Sequence, residues 1–279
     1  TMSILKKTTS FLLYSNLFVS LCVLALAIRT ALILDVNVGE YFFCFILFST
    51  LFTYHFQRII RISYKEYSSN NLNWNKLNFK LSLIICLISI VICFALIFSL
   101  KPISLYFLIP LFLISFLYPL KSFSKISLRE VPFLKIFLIA IVWTFTTTIL
   151  VVTESNTTLS FNLIPLLLDR FLFVLAITIP FDIRDLKYDK NEIKTIPMVF
   201  GVEGAKKIAF FCLFLSFAFV VYQFYFLELS SRFLLSHALT CTIAFFLVKY
   251  SKTTNKDFYF SFFVEGLSLL LLLSYFLIP

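Results

Sequence analysis

Residues 161–189 read FNLIPLLLDRFLFVLAITIPFDIRDLKYD, an apolar run of membrane length that ends in three aspartates. Asp182, Asp185 and Asp189 are separated by three and then four residues, so a helix would carry all three carboxylates on one face. Like charges on one exposed helix face repel each other by roughly 0.2–0.5 kcal/mol per pair. Because the chain has only 14 acidic residues, this spacing indicates a magnesium ion between the carboxylates and a phosphate on the ion.

The alternative for the three aspartates is a solvated helix end. Basic residues alternate with the carboxylates, namely Arg184, Lys187 and Lys190. Such neighbours would neutralise the acids without a metal. The position of the aspartates directly after a membrane-length run favours the metal site.

The composition is that of an integral membrane protein. Of the 279 residues, 61% are hydrophobic and 14% are charged, whereas soluble domains carry about 25% charged residues. Glycine is scarce, with four residues, and no stretch alternates apolar and polar residues as strands of a barrel would. Helices satisfy their own backbone groups in lipid, so the predicted fold class is all-α.

Nine apolar segments approach the length that crosses a bilayer, which is about 20 residues. They predict a single transmembrane helical domain over residues 1–279, arranged as a bundle of nine helices. The segments lie near residues 10–33, 41–60, 81–100, 102–119, 133–153, 161–181, 206–227, 232–249 and 257–278.

The basic residues predict the orientation of these spans. With a cytoplasmic N-terminus, nine crossings leave only Arg29, Lys101, Arg170 and Arg232 on the outer side, as the positive-inside rule requires. The net charge of +10 then reflects topology, and no recognition motif indicates a nucleic-acid partner. We expect a bacterial inner membrane protein that contacts membrane lipids and whose active site faces the cytoplasm.

Two long inside loops carry most of the polar residues outside the spans. They cover residues 58–80 and 182–207 and are predicted to form the polar cap of the site. Within the second, residues 194–207 read KTIPMVFGVEGAKK. Here Pro197 predicts a helix break, while Gly201 and Gly204 predict tight turns. The next helix would begin near 202–205 and present backbone N–H groups to an anion.

Charged and polar residues also occur inside the predicted spans, where they are costly and often functional. Asp169 and Arg170 are adjacent and predict a local pair. Glu265 lies in the ninth span, and proximity to the inner face would keep it hydrated. His237 is predicted to be structural.

The aspartate motif and the loop after it resemble a known family. Asp-x-x-Asp-x-x-x-Asp at 182–189, followed by Lys-Thr-Ile-Pro at 194–197 and Gly-Val-Glu-Gly-Ala at 201–205, is similar to the second aspartate-rich motif of the UbiA superfamily of intramembrane prenyltransferases. Tyr-Pro-Leu-Lys at 118–121 resembles the family's Tyr-x-x-Lys at the inner end of the fourth helix. The resemblance implies a UbiA-like fold with active loops after helices two and six.

The resemblance also implies a reaction and the residues that perform it. Asp182, Asp185 and Asp189 would be the catalytic metal ligands, and Mg²⁺ would be the cofactor. The ion would hold the diphosphate of an isoprenyl donor, whose prenyl group passes to an acceptor that the sequence does not identify. Lys121 and Lys187 would contact the diphosphate, and the positive charges would stabilise its departure.

The first aspartate-rich motif of the family has no counterpart in this chain. The corresponding residues 53–64 read TYHFQRIIRISY, and the next carboxylate is Glu66. Arg58 and Arg61 are three residues apart on one helical face, where guanidinium groups suit direct binding of a diphosphate. Ordinary anchoring by inside cations is an equally good explanation for both arginines.

A second replacement for the lost carboxylates would use His55 and Gln57 with Glu66 as weaker ligands. The candidate residues of the substrate pocket are Tyr54, His55, Gln57 and Tyr118. The simpler alternatives are packing for Tyr54 and a polar helix end for His55.

Three functions follow from these patterns. The leading hypothesis is a prenyltransferase-like enzyme, a transferase of alkyl groups other than methyl, that uses Mg²⁺ and a polyprenyl diphosphate. The second is a terpene cyclase of the UbiA type, in which the donor's own double bond would trap the cation. The third is a non-catalytic lipid-binding relative that retains a vestigial metal site.

Overall fold

The computed structural model describes residues 11–64, 70–121, 128, 131, 133–155, 157–186 and 194–278. The elements that organise these residues are helices, which agrees with the predicted all-α class. In chain order they are α1 Leu17–Ile33, α2 Glu40–Ser63, α3 Asn70–Leu77, α4 Phe79–Ile97, α5 Pro102–Leu117, α6 Leu134–Ser155, α7 Phe161–Asp185, α8 Ile196–Phe226, α9 Ser231–Lys249 and, after the π-helix Tyr259–Val264, α10 Leu267–Leu277.

Six helices among the described residues are long and apolar enough to cross a membrane, namely α2, α4, α6, α7, α8 and α9. The shorter apolar helices are α1, α5 and α10. A helix lies in each of the nine predicted segments, so the hydropathy pattern located these apolar helices, whereas α3 lies in the predicted inside loop 58–80 and was not predicted. The count of nine spans and the cytoplasmic N-terminus stay predictions.

The helices follow one another around a ring. α1 packs against α2 and α10, α10 against α9, α9 against α8, α8 against α7, α7 against α6, α6 against α5, and α5 against α2. α1 also contacts the middle of α6 across this ring, and α4 lies against α2. The core side of α1 is built from small and medium apolar residues with almost no exposure, such as Cys22, Leu26 and Ala27. Such residues allow the close approach of neighbouring helices that membrane bundles need.

The chain enters α8 differently from the prediction made for residues 194–207. Pro197 begins the helix rather than breaking it, because a proline in the first turn lacks only an N–H group that has no helical partner. The break comes at Gly201, whose φ of 70° and ψ of 168° interrupt the helix. Gly204 lies inside the helix that follows.

Gly201→Ala is expected to destabilise the protein by about 1–3 kcal/mol, because that backbone conformation is essentially restricted to glycine. An added Cβ atom would meet nothing within 4 Å, so the cost would come from the backbone and not from a clash. The free energy of unfolding in detergent would report the loss. An unchanged value would contradict the described kink.

Candidate active site

α7 brings two of the three predicted aspartates together. Asp182 and Asp185 lie one turn apart at the end of the helix and are 2% and 8% exposed. The helix ends at Asp185, and the backbone N–H of Leu186 donates to the Asp182 carbonyl at 3.2 Å. Asp189 and Lys187 lie outside the described residues.

One lysine faces both carboxylates. Lys135 Nζ lies 2.7 Å from Asp182 Oδ1 and 3.6 Å from Asp185 Oδ2. Lys135 belongs to the first turn of α6, which packs against α7. The two aspartates therefore converge on a single point that carries a positive charge. The sequence placed Lys135 only among the inside cations, because its contact with α7 is tertiary.

Arg184 is a second cation at the same helix end. Its Nε donates to Asp185 Oδ1 at 2.7 Å and lies 3.9 Å from Asp257 Oδ1. Its Cζ is 5.1 Å and 5.7 Å from the ring centroids of Phe181 and Phe260, which is within cation–π range. Contacts on several sides therefore hold this guanidinium in place.

Asp257 is a further acid at this helix end, and no sequence pattern indicated it. It is 6% exposed, and its Oδ2 has no hydrogen-bond partner among the described residues. It lies 72 positions after Asp185 in the chain, so spacing could not connect the two.

The described residues contain no cluster of three His, Cys, Asp or Glu side chains that could hold a metal ion. Asp182 and Asp185 offer a pair of carboxylates instead. Mg²⁺ in proteins commonly takes one or two carboxylates and completes its shell with water and substrate phosphate oxygens. This donor set therefore fits a magnesium ion.

A cavity of about 610 Å³ lies between α2, α4, α5 and α6. Most of its lining is apolar and includes Phe45, Leu108 and Val142. The lining residues that carry a hydroxyl or amide group are Ser49, Thr50, Thr53, Tyr54, Gln57, Ser115, Tyr118 and Thr146. Its volume and character suit a ligand with a hydrocarbon chain.

Three of the four predicted pocket residues line this cavity, namely Tyr54, Gln57 and Tyr118. His55 does not, because its side chain points to the other side of α2, where it is fully buried and its Nε2 lies 2.9 Å from the Ser15 carbonyl oxygen. Tyr54 and Trp143 both line the cavity, one from α2 and the other from α6.

The face of α6 that lines the cavity also carries the lysine that contacts the aspartates. Leu138, Ile139 and Val142 line the cavity, and they follow Lys135 by three, four and seven residues. Positions with this spacing share one side of a helix. The aspartate pair therefore lies at the end of the helix face that forms the cavity wall.

The predicted arginines continue the cavity face of α2. Arg58 and Arg61 follow Tyr54 by four and seven residues, so the same spacing relates them to the lining. Arg58 Nε donates to Asn16 Oδ1 at 2.8 Å. Its charge also acts on Glu265, the acid that the sequence singled out in the ninth predicted span.

Lys121 is located at the same end of α2. Its Nζ lies 5.0 Å from the centroid of the Tyr64 ring. Tyr64 is the residue that directly follows α2. Tyr118, three residues earlier, is buried and lines the cavity. The Tyr-x-x-Lys motif therefore joins the cavity lining to the polar end of α2.

Comparison with solved structures gives full-length matches at low sequence identity. The structure of a UbiA homologue from Aeropyrum pernix K1 has a TM-score of 0.72 and 13% identity over 92% of this chain and 97% of that one. A UbiA homologue from Archaeoglobus fulgidus bound to GPP and Mg²⁺ has a TM-score of 0.66 and 13% identity over 96% and 98%. A structure of digeranylgeranylglyceryl phosphate synthase has a TM-score of 0.56 and 14% identity over 98% of both chains.

The sequence itself matches a family model. A comparison with curated protein sequences gives no match. The model of the UbiA prenyltransferase family, however, matches residues 75–270. This range includes the aspartate motif and begins after residues 53–64, where the first acidic motif is missing. With this match and an integral membrane fold like that of UbiA homologues, the chain belongs to the UbiA prenyltransferase family.

Proposed function

We propose that this protein transfers the prenyl group of an isoprenyl diphosphate to an acceptor inside the membrane. The observation that carries the proposal is the buried pair Asp182 and Asp185, which faces one cationic point at the end of an apolar cavity wall. The GPP and Mg²⁺ bound to the homologue from Archaeoglobus fulgidus support the same ligands here.

In this proposal Asp182 and Asp185, with Asp189 as a third ligand, hold Mg²⁺. The bound ion supplies positive charge that neutralises the diphosphate as it leaves. Lys121 and Lys187 contact the diphosphate oxygens. Arg58 and Arg61 take over charge neutralisation on the α2 side, where the family's first motif would provide carboxylates, and a guanidinium fork fits phosphate oxygens directly. The donor's hydrocarbon chain lies in the cavity.

The transfer step breaks the bond between C1 of the prenyl group and the diphosphate oxygen, and the electron pair leaves with the oxygen. An electron pair of the nucleophilic acceptor forms the new bond to C1, and the acceptor then loses a proton. The aromatic faces of Tyr54 and Trp143 border the cavity and can stabilise positive charge on the allylic carbon. The apolar lining keeps water from capturing that carbon.

A donor screen tests the proposed function. Purified protein is incubated with Mg²⁺ and geranyl, farnesyl or geranylgeranyl diphosphate, with and without quinone-precursor, tetrapyrrole, glycerol phosphate or sugar phosphate acceptors, and products are identified by mass spectrometry. Diphosphate release that depends on an acceptor is the expected result. Release with a cyclic hydrocarbon and no acceptor would indicate the terpene cyclase. No release with any donor, and a wild type equal to Asp182→Asn, would leave the non-catalytic lipid-binding relative.

Filling the cavity should shift the preference of the enzyme toward donors with a shorter chain. Ser49→Trp places a large side chain in the cavity lining, so we expect the preference for geranylgeranyl over geranyl diphosphate to fall by about tenfold or more, because the longer chain loses its space. Product analysis with equimolar donors measures this ratio.

Ser63→Trp is the matched control for the cavity variant. Both serines lie on α2, and each donates from Oγ to the carbonyl three residues earlier, Ser49 to Ile46 and Ser63 to Ile60. Ser63 is exposed and outside the cavity lining. An equal shift in both variants, or none in Ser49→Trp, would argue against a donor chain in this cavity.

A further inference from the structure

We infer that Lys135 is an exchangeable counter-cation, which neutralises the aspartate pair and passes to the diphosphate when Mg²⁺ and diphosphate bind. This inference rests on the proposed function, since it concerns the same ligands. It adds a residue that the UbiA-like motifs in the sequence do not include, and it assigns that residue a role in coupling metal binding to diphosphate binding.

The burial of the aspartates explains why the pair needs a cation. The side chains of Asp182 and Asp185 are 3% and 12% exposed, and that of Lys135 is 14% exposed. Two carboxylates one turn apart, removed from water without compensation, would repel each other strongly. Lys135 Nζ lies within 4 Å of both, so it compensates the pair from a neighbouring helix.

The two cations of the site differ in their freedom to move. Arg184 is adjacent to Asp185 in the chain, contacts Asp257 as well, and lies over the rings of Phe181 and Phe260. Lys135 reaches the aspartates through a flexible four-carbon stem with a single charged group at its end. Lys135 is therefore the cation that can change partners, while Arg184 stays with Asp185.

The position of the ammonium group conflicts with a metal ion at the same oxygens. Mg²⁺ binds carboxylate oxygens at about 2.0–2.1 Å, and Lys135 Nζ lies 2.7 Å from Asp182 Oδ1. A magnesium ion on Asp182 Oδ1 and the ammonium group cannot share that space, so the ammonium group leaves when the ion binds this oxygen. A diphosphate on the ion offers the displaced ammonium new oxygen partners.

This exchange couples the two ligands. Mg²⁺ alone has to displace Lys135 from the carboxylates and supplies no phosphate oxygens to it, so the ion binds weakly. Mg²⁺ with a diphosphate supplies those oxygens, so the two bind together more tightly than either does alone. The site would then bind its metal as a complex with the donor.

Calorimetric titration of the full chain in detergent tests the exchange, with Mg²⁺ alone and with inorganic pyrophosphate at saturating Mg²⁺ as the probes. Lys135→Met should bind Mg²⁺ alone about tenfold more tightly than wild type and bind pyrophosphate about tenfold more weakly. The substitution removes a positive charge that competes with Mg²⁺ for the carboxylates and that attracts the pyrophosphate. Lys135→Gln should change both affinities in the same directions. Lys249→Met, the same charge change at an exposed position, should match wild type.

Opposite movements of the two affinities are the signature of exchange. Unchanged affinity for Mg²⁺ alone, or a parallel loss of both affinities, in either folded Lys135 variant would overturn the inference and leave the proposed function intact. A wild-type protein that binds no Mg²⁺–pyrophosphate, as Asp182→Asn is expected not to, would overturn the proposed function itself. Circular dichroism and size exclusion identify which variants are folded.

Discussion

Asp182→Asn is expected to lower prenyl transfer by about 10²–10³-fold, because it removes one of the two buried carboxylates that face Lys135 and are proposed to bind Mg²⁺. The substitution preserves the volume of the side chain but replaces one acceptor oxygen with an NH₂ donor. It leaves Lys135 beside a neutral amide in place of the carboxylate at 2.7 Å. Initial rates of diphosphate release at saturating donor and Mg²⁺ measure the effect.

Asp35→Asn provides the control for loss of one negative charge. Asp35 is exposed and has a φ of 48°, a conformation that asparagine also tolerates. Its rate should equal that of wild type. A rate for Asp182→Asn within a few-fold of wild type would mean that this carboxylate takes no part in the reaction.

Asp169→Asn is expected to destabilise the protein by about 3–5 kcal/mol, because it removes the negative charge from a group of buried cations. Asp169 Oδ1 accepts a hydrogen bond from Ser216 Oγ at 2.6 Å and lies 3.4 Å from His237 Nε2. The carboxylate also acts electrostatically on Arg29 and Arg170, which are each 2% exposed.

The two arginines tie several helices together through this network. Arg170 donates to the Leu26 carbonyl at 2.9 Å and to Thr147 Oγ1 at 2.9 Å. Arg29 donates to Ser236 Oγ and to the Leu271 carbonyl, both at 2.8 Å. α1 is thereby connected to α6, α7, α9 and α10. Without the Asp169 carboxylate, these buried guanidinium groups would lose a negative charge that partly compensates them.

Equilibrium unfolding of the detergent-solubilised protein measures the loss of stability in Asp169→Asn. Asp35→Asn again supplies the charge-matched control at an exposed site. If both variants unfold like wild type, the buried arginines do not depend on Asp169, and the network contributes no net stability.

The fold could be predicted from sequence to the extent that hydropathy determines it. Apolar segments near membrane length located the helices, because helices are the elements that satisfy their own backbone in lipid.

Local departures from α-helix were not predicted. Phe145–Ile149 forms a π-helical turn within α6, and Thr147 in this turn donates to the Trp143 carbonyl while accepting from Arg170. The contact with Arg170 is tertiary, so no local pattern reveals it.

The candidate site was easiest to predict where its residues are close in sequence. The spacing predicted Asp182, Asp185 and Asp189 on one helix face; Asp182 and Asp185 lie one turn apart on α7, and Asp189 lies outside the described residues. Lys135 and Asp257 come from other helices, and only folding brings them to the pair. The helical spacing could have indicated Lys135, because it shares one side of α6 with Leu138, which lines the cavity.

The pair predicted from the adjacent residues Asp169 and Arg170 illustrates the same limit. Adjacent positions on a helix point in different directions. Asp169 turns to Ser216 and His237, whereas Arg170 turns to α1 and α6. His237 fits the structural role predicted for it, because its Nε2 lies 3.0 Å from Ser216 Oγ inside the buried network.

The central claim is that a metal-bound diphosphate sits at Asp182 and Asp185 with its hydrocarbon chain in the cavity between α2, α4, α5 and α6. A structure with Mn²⁺ and a non-hydrolysable thiodiphosphate analogue of geranylgeranyl diphosphate tests it most directly. We predict an anomalous peak within bonding distance of both carboxylates and chain density beside Tyr54 and Tyr118. A metal elsewhere, or a chain outside this cavity, would contradict the account.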